Sequence, residues 1–182
     1  MKAAPPDREL DVSNSTKPRT DLAPAGPAQT AAGSLRDALI GVWRAVACTE
    51  TDVATGEVIL PMGRRPQGLL LYSADGYMSA QMCAADRRHF AGGDLYRGAP
   101  EDYVAASVTY IAYSGPYYVD EARGLVEHEM EVSFFPNWKG QRQLRIVGLD
   151  GDQLVLTTAR PTLFNGALKT ASITWRRAPP NP

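Results

Sequence analysis

The chain carries two histidines, His89 and His128, and His128 sits where its chemistry can be read. It lies in LVEHEMEVSFF, a run that alternates polar and apolar residues. Successive side chains of a strand point to opposite faces. Leu125, Glu127, Glu129, Glu131 and Ser133 therefore share one face, and Val126, His128, Met130, Val132 and Phe134 the other. Three glutamates on one face belong in water, so His128 is expected to look into an apolar interior. An imidazole there has three uses. It is a structural group satisfied by a tyrosine or a backbone carbonyl, or an anchor for a ligand, or a general acid/base that exploits a pKa near neutrality. His89, in DRRHF, is expected in an exposed loop, with a pocket mouth as the alternative.

Other side chains fit around such an interior. Tyr113 and Tyr117 share one face of TYIAYSGPYYV, with Tyr110, Ser114 and Tyr118 on the other. They serve as core or rim aromatics, or their phenols orient a ligand carbonyl. In YMSAQMC, Tyr77, Ser79, Gln81 and Cys83 alternate with Met78, Ala80 and Met82. In QRQLRIV, Gln141, Gln143, Arg145 and Val147 alternate with Arg142, Leu144 and Ile146. Arg145 is costly to bury alone, so it is exposed, paired, or bound to a ligand carboxylate or enolate. Trp138, in FFPNWKG, is expected to pack against one end of the fold. An apolar interior holding a few polar groups suits a small-molecule pocket. The candidate catalytic pair is His128 and Tyr113. The candidate ligand contacts are Tyr77, Ser79, Gln81, Tyr117, Met130, Gln143, Arg145 and Trp138. Neither histidine has a second ligand at strand spacing, so no metal site is expected. No Ser/His/Asp arrangement, P-loop or dinucleotide fingerprint is present, and no cofactor is expected. Cys48 and Cys83 form no disulfide framework and are expected as buried thiols, which agrees with a reducing, cytoplasmic setting.

The elements that position these groups are short strands. VWRAVACTET, VILPM, QGLLLYS, YMSAQMCA, VTYIAYSGPYYVD, LVEHEMEVSFF, QRQLRIVGL, QLVLTTA and KTASITWRRA are joined largely by Gly/Asp turns such as ADG, EARG and DGD. SLRDAL ahead of them carries a weak capping-box pattern, Ser34 with Asp37, for one short helix. Eight or nine strands at even spacing predict an antiparallel up-and-down β-barrel, whose closure removes exposed edges. One long interruption, from Ala84 to Val108, breaks the rhythm. Its APEDYVAAS stretch starts with Pro100 and two acids, as a helix start does. Long insertions in compact domains are often lids or binding loops.

Residues 1–34 are rich in Pro, Ala, Ser and Thr and are expected to be disordered, or to fold over a pocket mouth through RELDV when ligand binds. Residues 35–178 are expected to form the barrel domain and residues 179–182 a tail. The 182-residue chain has a formal net charge of −1, which gives no electrostatic case for nucleic acid or an anionic membrane. No run approaches the ~20 apolar residues of a membrane span.

GVWRAVACTE, PMGRRPQGLLLYSADGYMSAQM, YIAYSGPYYVD, VEHEMEVSFFPNW and DGDQLVLTT, in that order, resemble the bacterial and fungal lipocalin-like domain family, a branch of the calycin-type barrels. GVW resembles the Gly-x-Trp that opens lipocalin barrels, where the Trp plugs the closed end. The resemblance implies a lipocalin-like all-β barrel and an association with natural-product pathways. The expected partner is a small hydrophobic ligand or substrate, bound by a monomer or homodimer. The expected function is that of a cofactor-independent cyclase or isomerase that shapes a polyketide- or terpenoid-like intermediate in secondary-metabolite biosynthesis. The alternative is a non-catalytic carrier or store for a hydrophobic metabolite. Function on a shared fold follows from the site.

Overall fold

A computed structural model of the chain describes residues 33–182; RELDV and almost all of the expected extension lie outside the described residues. Helix α1 (Leu35–Leu39) begins at Ser34, whose Oγ accepts from the Asp37 amide at 3.0 Å, satisfying a donor that the helix start leaves free. The remaining elements are β1 (Gly41–Asp52), β2 (Val58–Ile59), β3 (Gln67–Tyr72), β4 (Tyr77–Cys83), helix α2 (Pro100–Val108), β5 (Tyr110–Asp120), β6 (Leu125–Glu129), β7 (Val132–Ser133), β8 (Arg142–Asp150), β9 (Gln153–Thr158), β10 (Thr162–Phe164) and β11 (Ala167–Arg177). A 3-10 turn spans Pro136–Trp138. No helix among the described residues is long and apolar enough to cross a membrane.

Strands β1, β3, β4, β5, β6, β8, β9 and β11 each pair antiparallel with the next, and β11 returns to β1 over Trp43–Asp52. The result is the expected closed up-and-down barrel, with β2, β7 and β10 added as short flanking strands. The connections sort by end. Turns 73–76, 121–124 and 151–152 lie at one end together with α1. Glycine makes all three possible, since Gly76, Gly124 and Gly151 hold φ of 92°, 62° and 54°, a region closed to most side chains. The four long connections, including the expected helix-bearing insertion, lie at the other end.

The tight-turn end is plugged. Trp43 is fully buried and its Nε1 donates to the Leu39 carbonyl at 2.8 Å. The Arg177 guanidinium lies 4.1 Å from the Trp43 ring centroid and donates to the Ile40 and Ala38 carbonyls at 3.0 and 2.7 Å. Those bonds pay out two carbonyls at the end of α1, while the ring face takes up the cation.

One strand departs from its alternation. Tyr117 stands opposite His128, yet Tyr113 stands opposite Ser133, so a step of four residues along β5 faces a step of five along β6 and β7. This is a β-bulge, and it reverses the phase of the residues after Glu131. Val132 and Phe134, expected inside, are 68% and 46% exposed, while Ser133, expected outside, turns its Oγ into a buried position. Gly115 permits the close approach, because a Cβ there would lie 2.0 Å from the Glu129 carbonyl oxygen.

Candidate functional site

Below the long-loop end, the barrel encloses a cavity of about 70 Å³. One water needs ~10–15 Å³ of such space, so it holds more than a single solvent molecule. Its walls are mostly apolar, from Met82, Ile111, Trp138, Leu156, Phe164 and Trp175. Polar groups from Tyr113, Gln143, Arg145, Glu50 and Thr158 interrupt that surface. The cavity draws on strands of the barrel and also on the loops above it, since Trp138 comes from the 3-10 turn and Phe164 from β10.

The sequence candidates separate into three places. Tyr113, Gln143, Arg145 and Trp138 line the cavity together, and Gln81 borders it from β4 although its side chain turns to the outer face. His128, Met130 and Tyr117 lie in the barrel core and not on the cavity wall. The His128 ring is fully buried, with Nε2 2.7 Å from the Tyr72 hydroxyl, and it sits between the rings of Tyr72 and Tyr113, at centroid distances of 5.7 and 5.9 Å. The Tyr117 hydroxyl donates to the Ser73 carbonyl at 2.9 Å. Tyr77, Ser79 and Gln81 belong to the outer face of β4, because Met78, Ala80 and Met82 are the residues it buries. Tyr77 is 54% exposed, Ser79 is bonded by Ser114 Oγ at 2.9 Å, and the Gln81 side chain accepts from the Tyr110 hydroxyl at 2.8 Å. The sequence alternation of β4 is right, but its phase relative to the interior is set by pairing with β3 and β5.

Several contributors were not singled out in the sequence. Thr162 and Phe164 line the cavity from β10, and the signal for that strand is Asn165-Gly166. Both residues hold positive φ, 48° and 77°, which is the two-residue hairpin turn that Asn-Gly favours. Tyr72, the partner of His128, is spaced two residues from Leu70 in QGLLLYS, and both are buried.

A model of the lipocalin-like domain matches residues 40–178. The chain belongs to the lipocalin-like domain family. It is also similar to a protein of Aspergillus oryzae described as the 4'-hydroxy-3'-methoxypropiophenone carrier protein ppsC, with 34% identity over 108 residues, covering 56% of this chain and 97% of that one.

Electrostatics distinguish the wall of this lipocalin-like barrel from its core. Burial, and then the charge of Arg145, push the His128 imidazole down from 6.5 to about 3, so the ring is neutral at physiological pH. Burial likewise holds the Tyr72 phenol well above its ordinary value. Cys48 lines the cavity, and burial together with nearby Glu50 raises its thiol to about 12; a thiol in that state is no nucleophile. Glu50 is bound by Lys169 at 3.4 Å, both largely buried. The Tyr113 hydroxyl has no hydrogen-bond partner among the described residues. The cavity-lining residues with unused hydrogen-bonding capacity thus include Tyr113, Gln143, Arg145 and Trp175, whose indole N–H has no partner among the described residues, while the classical proton carrier is enclosed beneath them.

Proposed function

We propose that this protein is a non-catalytic carrier of a small hydrophobic molecule with an aromatic body, held in the long-loop half of the barrel. The observation that carries this reading is the apolar, aromatic-walled cavity from which His128 is excluded. A proton shuttle needs contact with the reacting atoms, and a neutral imidazole locked to Tyr72 inside the core offers none. The relative described as a carrier of an aryl ketone supports the same assignment. Trp138 and Phe164 sit on connections and not on barrel strands, so a ligand larger than the present space enters by displacing them. The insertion between Ala84 and Val108, a connection at the same end of the barrel, is assigned the role of a lid. We place the protein in the cytoplasm as a monomer or homodimer; its free cysteines agree with a reducing compartment.

A second reading is a cofactor-independent cyclase or isomerase acting on a polyketide- or terpenoid-like intermediate. It is favoured by the unpartnered Tyr113 hydroxyl, which suits polarisation of a carbonyl, and by the rate gain available from confining a flexible chain. Titration of the protein with 4'-hydroxy-3'-methoxypropiophenone tests both. Saturable quenching of the fluorescence of Trp138 and Trp175, followed by recovery of the ketone unchanged in mass and retention time, is the expected result. Conversion of a linear polyketide or terpenoid precursor by the purified protein would replace the carrier reading with the second. Absence of saturable binding would remove the aryl ketone as a ligand.

A further inference from the structure

Arg145 is half-buried on the cavity wall with no acid to neutralise it. It stands on β8 opposite Val126, one step along the inward face from Gln143, which stands opposite His128. A guanidinium has five N–H donors. Here Nη2 donates to Gln143 Oε1 and Nη1 to the Leu144 carbonyl at 3.3 Å. Other arginines of the chain find carboxylates: Arg142 meets Glu129 at 2.7 Å and Glu127 at 3.1 Å, Arg88 meets Asp102 at 2.7 Å, and Arg177 meets Asp152 at 3.6 Å. No carboxylate among the described residues lies within ion-pair distance of Arg145. The carboxylate that does line the cavity, Glu50, is already engaged by Lys169. With that pair cancelled, the cavity keeps one formal positive charge.

We propose that the cavity selects ligands whose hydrophobic body carries an anionic oxygen, as a carboxylate, enolate or phenolate, and that Arg145 is its anchor. The inference rests on the reading of the barrel as a hydrophobic-ligand site and names the polar group such a ligand bears. Gln143 braces the guanidinium through its carbonyl oxygen, and its amide nitrogen, which has no partner among the described residues, remains a donor for the same group. The Tyr113 hydroxyl on the same cavity wall is another. Charge-assisted hydrogen bonds are about twice as strong as neutral ones, and apolar walls around them reduce the screening that water would supply.

The test compares 3-phenylpropionate with 3-phenylpropionamide, which differ in charge and little in shape, alongside neutral 4-phenyl-2-butanone. Affinities come from calorimetry at pH 7.5 on the full chain. The acid is expected to bind tighter than the amide by about 10-fold or more, as loss of a charged hydrogen-bond partner implies. Arg145→Gln is expected to bring acid and amide together, and Arg145→Lys to retain part of the preference. Equal affinity of the wild-type protein for acid and amide would overturn the anion selectivity and leave the cavity reading standing. A preference that survives in Arg145→Gln would overturn Arg145 as anchor. If neither the neutral ketone nor the other two bind, the cavity reading itself fails. The wild-type comparison depends on no variant, so it decides the selectivity even if Arg145→Gln does not fold.

Discussion

With its ring fully enclosed, His128 protonates in the folded protein only near pH 3, against 6.5 for the free group. The folded pKa is the lower one, so between those values the unfolded chain binds a proton that the folded chain does not. Stability is therefore full above about pH 6.5 and falls as the pH drops toward 3, by roughly 1.4 kcal/mol per unit across the window. Denaturant midpoints measured from pH 7.5 to 4.5 are expected to show this slope, and His128→Phe is expected to flatten it. An unchanged slope in the variant would assign the acid sensitivity to carboxylates instead. His128→Ala leaves the Tyr72 hydroxyl unpaired and opens a void, with an expected loss of ~2–4 kcal/mol. The inward direction of His128 was legible in the sequence, because three glutamates on the opposite face fixed it. Its partner was not, because Tyr72 belongs to β3, and β4 and β5 separate that strand from β6 in the sheet.

The bulge after β6 shows where strand alternation stops predicting. LVEHEMEVSFF reads as one uninterrupted strand, yet the pairing gains a residue between His128 and Ser133. The reason lies in β5, where Gly115 lets the Glu129 carbonyl come closer than any side chain would allow. Gly115→Ala is expected to push β5 and β6 apart and to cost ~1–3 kcal/mol or more, as overpacking of a close contact does. A melting temperature within error of the wild type would show that the bulge can relax around a methyl group. The same element turns Ser133 inward and Val132 and Phe134 outward, and it ends β6 before Met130. The β10–β11 hairpin is the opposite case. Its Asn165-Gly166 turn is a purely local signal, and the cavity residues Thr162 and Phe164 follow from it.

Across the whole molecule the two ends of the barrel do different work. The tight-turn end is closed by Trp43, Arg177 and α1, and the long-loop end holds the cavity. Substitutions at the two ends should therefore separate stability from binding. Arg177→Met removes two hydrogen bonds, a ring contact and the ion pair with Asp152, with an expected loss of ~1–3 kcal/mol in chemical denaturation and little change in ligand affinity. Ala80→Phe fills the cavity from β4, where Ala80 faces inward. It is expected to weaken binding of a hydrophobic probe by about 10-fold or more, the equivalent of ~1.4 kcal/mol, while the barrel stays folded. Calorimetric titration of both variants with one probe gives the comparison. Equal loss of affinity in the two would mean that binding reports on global stability and not on the cavity.

The sequence by itself determined the strands, most of their turns, the capped helix before them and the single long insertion, because each of these is governed by side chains within a few residues of one another. It also determined that Gln143 and Arg145 share a face with each other and not with Arg142. Tertiary structure decided the rest. Pairing of β4 with β3 and β5 in the closed barrel decided which of its faces looks inward, and so turned the side chains of Tyr77, Ser79 and Gln81 to the outer surface. Packing across the barrel placed His128 against Tyr72 and sealed it below the cavity. The absence of a carboxylate beside Arg145 is likewise a property of the assembled barrel, since ion pairing depends on distances in space between residues far apart in the chain.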